Sequence, residues 1–367
     1  MPFINDEWLF LLQNLTASPG YDLYKIMSNP SLDIIIPVWN NPAETRSCLV
    51  SVMDSINIAR LIIVNNGCDR PTELMLEEFS DHLGDRAIYM TMERNIGFIP
   101  AVNIALDRSD ADWALLLRPT ETLSNECVQQ ILATTQKEQA GIIIPYSPAE
   151  HSLAPNILKE SCPCIETSSL GFSTLALSKK MREKISVFDE EMDGGQFCLS
   201  DYCQRANENN FRAYLLPGIK TKGLPLTKFG SLERRQKMTE AALKTFTNRW
   251  GLKKHFAIYL PKETAPENLS ETLALLLDAA RRGHRFEIFL HRKQYLLAKE
   301  QRATCLHTGI TLHQLSALTP HRTLKRSVEK LKATNPEIQT VSPVDGIPFP
   351  GFSSTISTDL LTRLARD

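Results

Sequence analysis

Residues 94–121 read RNIGFIPAVNIALDRSDADWALLLRPTE, and the organisation of the whole chain follows from this stretch. A loop containing a glycine leads into a helical pattern and then into the apolar run Trp113–Leu117. An uninterrupted apolar run of this length is typical of a strand buried on both faces in a parallel sheet. Ligands of such sheets bind at the carboxyl ends of the strands, so Arg118, Thr120 and Glu121 are expected near the functional site.

Strands and helices alternate at short spacing on both sides of this stretch. Apolar runs rich in β-branched residues predict strands, and each is followed by a helical pattern; the predicted strands lie at residues 32–38, 60–64, 87–92, 113–117 and 140–145. The sequence therefore predicts an α/β fold with a doubly wound, mostly parallel sheet.

The alternation restarts at His255 and predicts a smaller α/β unit. Its opening strand, helix and strand, at 256–260, 267–282 and 285–290, resemble a Rossmann-like half-domain without a Gly-rich phosphate loop. Further strands are predicted at 304–307 and 338–341. The predicted domains are an N-terminal helical extension (1–30), a main α/β domain (31–252) and a small C-terminal α/β domain (253–367).

Composition argues for a cytoplasmic protein that does not bind nucleic acid. The formal net charge is -1, which gives no general attraction to a polyanion. Eight cysteines are scattered without a regular framework, no signal peptide is recognisable, and we expect free thiols in a reducing compartment. No apolar run approaches the roughly 20 residues that span a bilayer.

One segment is strongly basic. Between Lys220 and Leu260 there are ten Lys or Arg residues and two acidic ones. This pattern is typical of a solvated helix face, and an alternative interpretation is a patch for anionic lipid headgroups or for a phosphate-bearing acceptor. In the second case the protein would touch the membrane surface peripherally.

Residues 32–252 resemble the family 2 glycosyltransferases, whose fold is called GT-A. Three segments carry the resemblance: IIIPVWN at 34–40, IIVNNGCD at 62–69 and NIGFIPAVN at 95–103. They are similar to the P-x-x-N turn after the first strand, to the V-D-N-G-S-x-D turn after the second, and to the N-x-G-F-x-x-A-x-N segment of the family. A weaker match is DYCQR at 201–205, which resembles D-L-C-x-R.

The resemblance implies that these turns hold the nucleoside diphosphate sugar donor. The implied donor-binding residues are Pro37, Asn40, Asn65, Asn66, Asn95, Gly97, Asn103, Arg118, Thr120 and Glu121. An amide can pair with a base edge because it offers both a donor and an acceptor. The alternative is that the Asn and Gly residues only build turns.

The chain departs from the family at the metal motif. The family's L-L-L-N-P-D-T reads Leu-Leu-Leu-Arg-Pro-Thr-Glu here, so Thr120 stands at the key aspartate and Glu121 is displaced by one residue. Family members usually use Mg²⁺ or Mn²⁺, but one Glu beside Arg118 is a poor site for a hard cation, and no metal ligand is assigned. Either Arg118 contacts the diphosphate in place of the metal, or the site has decayed and Arg118 is a surface cation.

The chain departs again at the base motif. The family's E-D pair falls on Cys198 and Leu199, neither of which can deprotonate an acceptor hydroxyl. Asp201 is the best single candidate for the base, and a shifted register would bring Asp193 or Glu191 into this role. The alternative role of Asp201 is to cap the helix that follows it.

Two functions remain open after this comparison. The first is transfer of a sugar from a nucleotide-diphosphate donor to a glycan, lipid-linked or protein acceptor, with reduced metal dependence; the enzyme would be of the hexosyltransferase type. The second is a catalytically inactive GT-A domain that acts as a binding or scaffold partner in glycan biosynthesis. A nucleotidyltransferase is a more distant third possibility, because no Gly-rich, basic loop follows the first strand.

Overall fold

The structure is a computed structural model that describes residues 30–53, 60–151, 153, 157–158, 162–193, 197–223, 231–342 and 349–352. The predicted N-terminal extension lies outside the described residues, except for Pro30. The described residues divide into two compact units. The main unit contains Pro30–Lys253 with Arg281–Gly283, and the C-terminal unit contains Lys254–Ala280 and the described residues from His284 onward. The predicted division into domains at 1–30, 31–252 and 253–367 stays a prediction.

Strands and helices alternate through the main unit, as the apolar pattern predicts. The elements in chain order are β1 Leu32–Val38, α1 Pro42–Met53, β2 Arg60–Asn66, α2 Arg70–Leu83, β3 Ala87–Met92, α3 Phe98–Leu106, β4 Trp113–Leu117, β5 Glu121–Thr122, α4 Asn125–Thr134, β6 Ala140–Tyr146, β7 Ile165–Glu166, β8 Thr174–Ser178, α5 Lys179–Ile185, α6 Phe197–Glu208, β9 Arg212–Lys220, β10 Lys222–Gly223 and α7 Leu232–Trp250.

The large sheet of the main unit has the strand order β3-β2-β1-β4-β8-β6-β9-β7. Strands β3, β2, β1 and β4 are parallel, whereas β8 runs antiparallel to both β4 and β6. Strands β5 and β10 form a separate antiparallel pair. The predicted α/β fold class with a mostly parallel sheet is confirmed.

The sheet of the main unit separates two apolar cores. Alternate side chains of a strand point to opposite faces, and those of β1 do so here. Ile35 lies in one core, while Ile34 and Ile36 lie in the other. Each of these three side chains is fully buried. Both faces of the strand are therefore covered, which explains why its successive residues are apolar rather than alternating with polar ones.

The C-terminal unit has a four-stranded parallel sheet. Its elements are β11 His255–Tyr259, α8 Pro266–Arg281, β12 Arg285–Leu290, α9 Arg292–Glu300, β13 Ile310–Gln314, α10 Pro320–Thr334 and β14 Gln339–Val341. The strand order is β13-β12-β11-β14. Its first strand, helix and strand agree with the predicted second α/β unit.

One predicted strand of the C-terminal unit is wrong. The segment predicted as a strand at 304–307 contains the end of a short 3₁₀ turn, Ala303–Cys305, and the strand is β13 instead. Arg302, whose φ of 53° is left-handed, precedes this turn. Thr304 and Cys305 belong to the turn and His307 makes an isolated β-bridge, so residues 304–307 do not form a strand. The four-residue run TCLH at 304–307 is too short to separate such a turn from the strand that follows it.

The expectation of free thiols is confirmed only in part. Six cysteines are free: Cys48, Cys68, Cys127, Cys164, Cys198 and Cys203. The prediction is wrong for Cys162 and Cys305, which are disulfide-bonded.

None of the helices in the described part of the chain has both the length and the apolar composition needed to cross a bilayer. The long basic helix α7 buries Ala242 and Phe246 on one side and is otherwise mostly exposed or half-buried. Peripheral contact with a membrane through this segment stays a prediction.

Candidate functional site

The connection order of the large sheet places a crevice between β1 and β4. From β1 the chain adds β2 and then β3 on one side, and it returns to the other side of β1 to form β4. The ladder between β1 and β2 continues to Val38, whereas the ladder between β1 and β4 ends at Ile35. Pro37 lacks the N–H that would continue pairing. The two strands therefore part at a topological switch point, where α/β sheets bind ligands.

The turns after β1 and β2 are joined by hydrogen bonds. Asn40, whose φ is 56°, accepts a bond from the Asp69 N–H through Oδ1 at 2.8 Å. Asn65 accepts one from the Cys68 N–H at 2.9 Å and donates to the Tyr89 hydroxyl at 3.1 Å. The side chain of Asn65 is 1% exposed, so its amide mainly builds the turn.

Asn66 joins the turn after β2 to the turn after β3. Its Nδ2 donates to Asn95 Oδ1 at 3.2 Å and to the Gly97 carbonyl at 3.0 Å, and its Oδ1 accepts from the Ile96 N–H at 3.0 Å. Both N–H groups of the amide are therefore used within the protein. In the described conformation, Asn66 does not have a free N–H for a base edge, and the turn-building interpretation fits it better.

Asn103 has a positioning role in this structure. Its amide bonds both the N–H and the carbonyl of Phe188, each at 3.0 Å, and Nδ2 also donates to Glu190 Oε1 at 3.1 Å. This fastens the segment at 188–190 to the middle of α3. A direct contact of Asn103 with the donor phosphates stays a prediction, and the structure supplies a different use for its side chain.

Arg118 is buried at the carboxyl end of β4. Its side chain is 7% exposed, and its guanidinium bonds Glu150 at 2.5 Å and lies 3.7 Å from Glu121. The interpretation of Arg118 as a surface cation is therefore wrong. A buried guanidinium requires anionic partners because desolvation of an unpaired charge is very costly.

The Glu150 carboxylate accepts three bonds at this site. Besides Arg118, the N–H of Phe172 donates to Oε1 at 3.2 Å and the N–H of Ser173 donates to Oε2 at 3.1 Å. Gly171 leaves the room for this carboxylate, because a Cβ there would lie 2.1 Å from Glu150 Oε2. Burial raises the pKa of Glu150, but the Arg118 charge and these bonds outweigh it and lower the pKa overall.

Glu121 is a second buried carboxylate beside Arg118. Its residue is 3% exposed, and burial raises its pKa in spite of the neighbouring guanidinium. Gly223 faces it across the β5–β10 pair, where a Cβ would lie 2.1 Å from the carboxyl carbon. Within the described residues, Glu121 Oε2 and Thr120 Oγ1 are buried without a hydrogen-bond partner.

The residues at this position do not fit a divalent metal ion. A hard cation requires several clustered oxygen ligands, but Arg118 pairs with both carboxylates that approach it. Across the described part of the chain, no group of three His, Cys, Asp or Glu side chains could hold a metal.

The base motif lacks an accessible carboxylate at the family's position. Cys198 and Leu199 are buried, and burial raises the pKa of Cys198 to about 12. Asp201 is fully buried in the interior of α6, so the prediction that it caps this helix is wrong. The helix begins at Phe197, before Asp201.

The carboxylate of Asp201 is held by three side chains. Oδ1 accepts bonds from Arg249 and Trp250 at 2.8 Å, and Oδ2 accepts one from Arg205 at 2.8 Å. Arg205 also donates to the carbonyls of Ile185 and Val187. Asp201 thereby connects α6 and α7 and supports the segment at 185–187. Its role as the catalytic base stays a prediction.

Asp193 is more accessible than the fully buried Asp201. It is half-buried, and its pKa is raised by burial and by the neighbouring charge of Glu190. A raised pKa moves a carboxyl group towards the range in which it can accept and return a proton near neutral pH.

Aromatic contacts connect the two parts of the site. The ring of Phe172 lies 5.0 Å from that of Phe98, at the start of α3, and 5.7 Å from that of Phe188. Phe188 stacks on Tyr202 at 4.2 Å. These contacts pack three segments against one another: the segment at Phe172 that bonds Glu150, the start of α3, and the segment from Phe188 to Asp193.

The sequence indicated Arg118 and Glu121 but missed Glu150, His151 and Ser173. His151 follows Glu150 and accepts the Ser147 N–H through Nδ1 at 3.2 Å. These residues lie after β6 and just before β8, and only the fold shows that Glu150 and Ser173 contact Arg118. The combination of a Glu and a His in a long loop was the available signal.

Comparison with known protein families gives a match within the main unit. The family described as "Glycosyl transferase family 2" matches residues 33–158. The match covers β1 to β6 and includes all three turns, Arg118 and Glu150, which agrees with the predicted GT-A fold.

Several solved glycosyltransferases are similar in structure to the chain at low sequence identity. A mannosyltransferase from Pyrobaculum calidifontis in complex with GDP-Man and Mn²⁺ is 13% identical, with a TM-score of 0.49 over 90% of this chain and 88% of that one. The S. aureus TarS fragment 1–349 in complex with UDP-GlcNAc is 14% identical, with a TM-score of 0.47 over 59% and 67%. GalNAc-T7 with UDP, GalNAc and Mn²⁺ is 11% identical, with a TM-score of 0.48 over 59% and 48%. Similarity at these levels carries no conclusion about this chain's ligand, and no curated protein matches it.

Proposed function

We propose that this family 2 domain binds a nucleoside diphosphate sugar at the β1–β4 crevice and transfers the sugar to a glycan, lipid-linked or protein acceptor without a divalent metal ion. The observation that carries the proposal is the position of Arg118, a buried cation at the carboxyl end of β4 beside the switch point. A guanidinium has the fork of donors and the charge that suit a phosphate.

In this proposal, Arg118 stabilises the negative charge that develops on the diphosphate as the sugar leaves. Glu121 and Thr120, which have buried oxygens without partners in the described region, complete the donor end of the site. Asp193, rather than the enclosed Asp201, is the carboxylate that accepts the proton of the acceptor hydroxyl. The turns at Asn40, Asn65, Asn66, Asn95 and Gly97 form the wall of the nucleotide site.

Calorimetric titration of UDP- and GDP-sugars into the full chain, with and without EDTA, tests donor binding. We expect binding of at least one donor that EDTA does not weaken and that Arg118→Gln weakens. Arg70→Gln, which removes an exposed cation on α2, is the matched control and should leave binding unchanged. If no nucleotide sugar binds, or if binding requires a divalent ion, the proposal is wrong.

A second candidate function is donor or glycan binding without transfer. It is favoured by one observation: Cys198 and Leu199, both buried, occupy the family's base positions. Release of free nucleotide from the donor, measured with candidate acceptors, separates the two functions. Nucleotide release that Asp193→Asn abolishes supports transfer, whereas tight donor binding with no release in any acceptor mixture supports the binding function.

A further inference from the structure

The donors around Glu150 form an anion cradle in which a carboxylate of the protein itself is bound. The cradle consists of the Arg118 guanidinium and the consecutive N–H groups of Phe172 and Ser173. Two adjacent backbone N–H groups that point at one anion, together with a guanidinium, are the features by which proteins bind phosphate. Gly171 completes the cradle by leaving the space into which one oxygen fits.

We propose that this cradle is a phosphate-binding subsite and that Glu150 occupies it as an internal substitute until a phosphate group of the ligand displaces it. The inference deepens the proposed function, because it assigns the displaced position to a phosphate of the donor. It also gives Glu150 a regulatory role, because binding of a phosphate must exchange one anion for another.

Three hydrogen bonds within the turn that carries Glu150 support an exchange. Its turn is closed by internal bonds, from the N–H groups of Glu150 and His151 to the Ser147 carbonyl at 3.1 and 2.8 Å. The Ser147 N–H in turn bonds His151 Nδ1. A turn that satisfies its own backbone can move away as a unit without leaving these groups unpaired.

The ion pair between Glu150 and Arg118 also favours an exchange of anions over a purely structural role for Glu150. A buried ion pair gains little net stability, because the loss of hydration offsets most of the attraction. A phosphate has more charge and more acceptor oxygens than a carboxylate, and it can satisfy the same three donors. The carboxylate of Glu150 therefore competes with a phosphate for Arg118, and removal of its charge should strengthen phosphate binding.

The direct test is titration of inorganic pyrophosphate into the full-length wild type and Glu150→Gln. The glutamine keeps the size of the side chain and removes its charge. We expect about tenfold tighter pyrophosphate binding in Glu150→Gln, the change expected when one competing charged contact is lost. The double variant Arg118→Gln/Glu150→Gln should lose this gain. If Glu150→Gln is folded and binds pyrophosphate no more tightly than the wild type, the subsite does not exist.

Two matched controls separate the cradle from general charge effects. Glu121→Gln also removes a carboxylate near Arg118, but Glu121 lies 3.7 Å from the guanidinium and outside the bonds to Phe172 and Ser173. Glu233→Gln removes an exposed carboxylate that pairs with Lys237. We expect a smaller gain for Glu121→Gln than for Glu150→Gln and none for Glu233→Gln. Equal gains in Glu121→Gln and Glu150→Gln would overturn the assignment of the cradle.

A more conservative variant guards against misfolding. Glu150→Asp keeps the charge but withdraws the carboxylate by one methylene group, and we expect pyrophosphate affinity between those of the wild type and Glu150→Gln. If Glu150→Gln does not fold and the pyrophosphate affinity of Glu150→Asp equals that of the wild type, the proposal is contradicted. Because the probe is pyrophosphate, the subsite can be supported even if no nucleotide sugar binds. If a nucleotide sugar binds but Glu150→Gln leaves pyrophosphate affinity unchanged, the subsite is refuted and the proposed function is not.

Discussion

Gly67 lies directly against the backbone of Arg94. A Cβ at Gly67 would lie 2.3 Å from the carbonyl carbon of Arg94, and the φ of Gly67 is +70°. The glycine of the N-N-G-C-D turn is therefore required for the approach of two protein turns, in addition to any approach of a ligand. The neighbouring atoms at this position belong to the backbone of Arg94 and Asn95, so they cannot move aside as a flexible side chain could.

Gly67→Ala should destabilise the main unit strongly. The clash with Arg94 and the left-handed φ together should lower the free energy of unfolding by about 2 kcal/mol or more. The matched control is Gly84→Ala, because Gly84 has a φ of +54° but nothing within 4 Å of its Cβ position. It should cost less than Gly67→Ala, because a φ of +54° with a ψ of -127° strains the backbone of an alanine but brings no atom into a clash with its Cβ. Urea unfolding measures both variants, and equal losses would contradict the steric argument.

Asp201→Asn should lower the free energy of unfolding, because the Asp201 carboxylate holds the fold together rather than taking part in sugar transfer. Removal of a buried carboxylate that pairs with Arg205 and Arg249 should cost about 3 kcal/mol in unfolding free energy. Asp189→Asn, which breaks a more exposed pair with Arg249, should cost about 1 kcal/mol or less. Thermal or urea unfolding of each variant gives these values. Loss of sugar transfer in Asp201→Asn with unchanged stability would instead assign the base to Asp201.

His151 should make stability depend on pH between neutrality and mild acid. Burial is the largest cause that lowers the pKa of His151, so the unfolded chain binds this proton at a higher pH than the folded protein does. Stability should therefore fall as the pH falls below about 6.5, the ordinary value for histidine. His151→Asn keeps an acceptor for the Ser147 N–H and removes the titration. Urea unfolding at pH 7.5 and 5.5 should show a smaller pH effect in this variant than in the wild type.

Glu287 should add an acid-labile contribution in the C-terminal unit. Burial raises its pKa, but the bonds to His255 at 3.2 Å and to His313 at 2.5 Å outweigh this and lower it overall. The stabilisation is present above about pH 4.3, the ordinary value for glutamate, and is lost as the pH falls through the lower folded value. Acid unfolding followed by circular dichroism should therefore be less steep in Glu287→Gln. The exposed Glu267→Gln serves as the control and should follow the wild type.

The sequence predicts best what depends on local periodicity. The bounds of β1, β3 and β4 agree with the predicted ones, because an apolar strand leaves a regular pattern in the sequence. Placement of Arg118 and Glu121 at the carboxyl end of β4 follows from the same rule. The strand predicted at 304–307 fails because a short apolar run carries too little pattern to exclude a turn.

Partner choice within the site could not be predicted from the sequence. Nothing in the spacing shows that Glu150 bonds Arg118, or that Asn66 bonds the turn at Asn95 rather than a ligand. Such contacts depend on how strands far apart in the chain are placed side by side. The turn motifs therefore identified the fold reliably, while the role of each amide within the turns required the structure.

The antiparallel strand β8 has a consequence for the order in which the chain can fold during synthesis. Strands β1 to β4 can pair as soon as they leave the ribosome, but the partner of Trp113 on the other side of β4 is Ser178, which is made much later. Until then β4 is an edge strand of five apolar residues, the kind of edge that pairs with other chains. We expect nascent chains that end before β8 to depend on a chaperone or to aggregate, and chains that extend past Ser178 to become soluble.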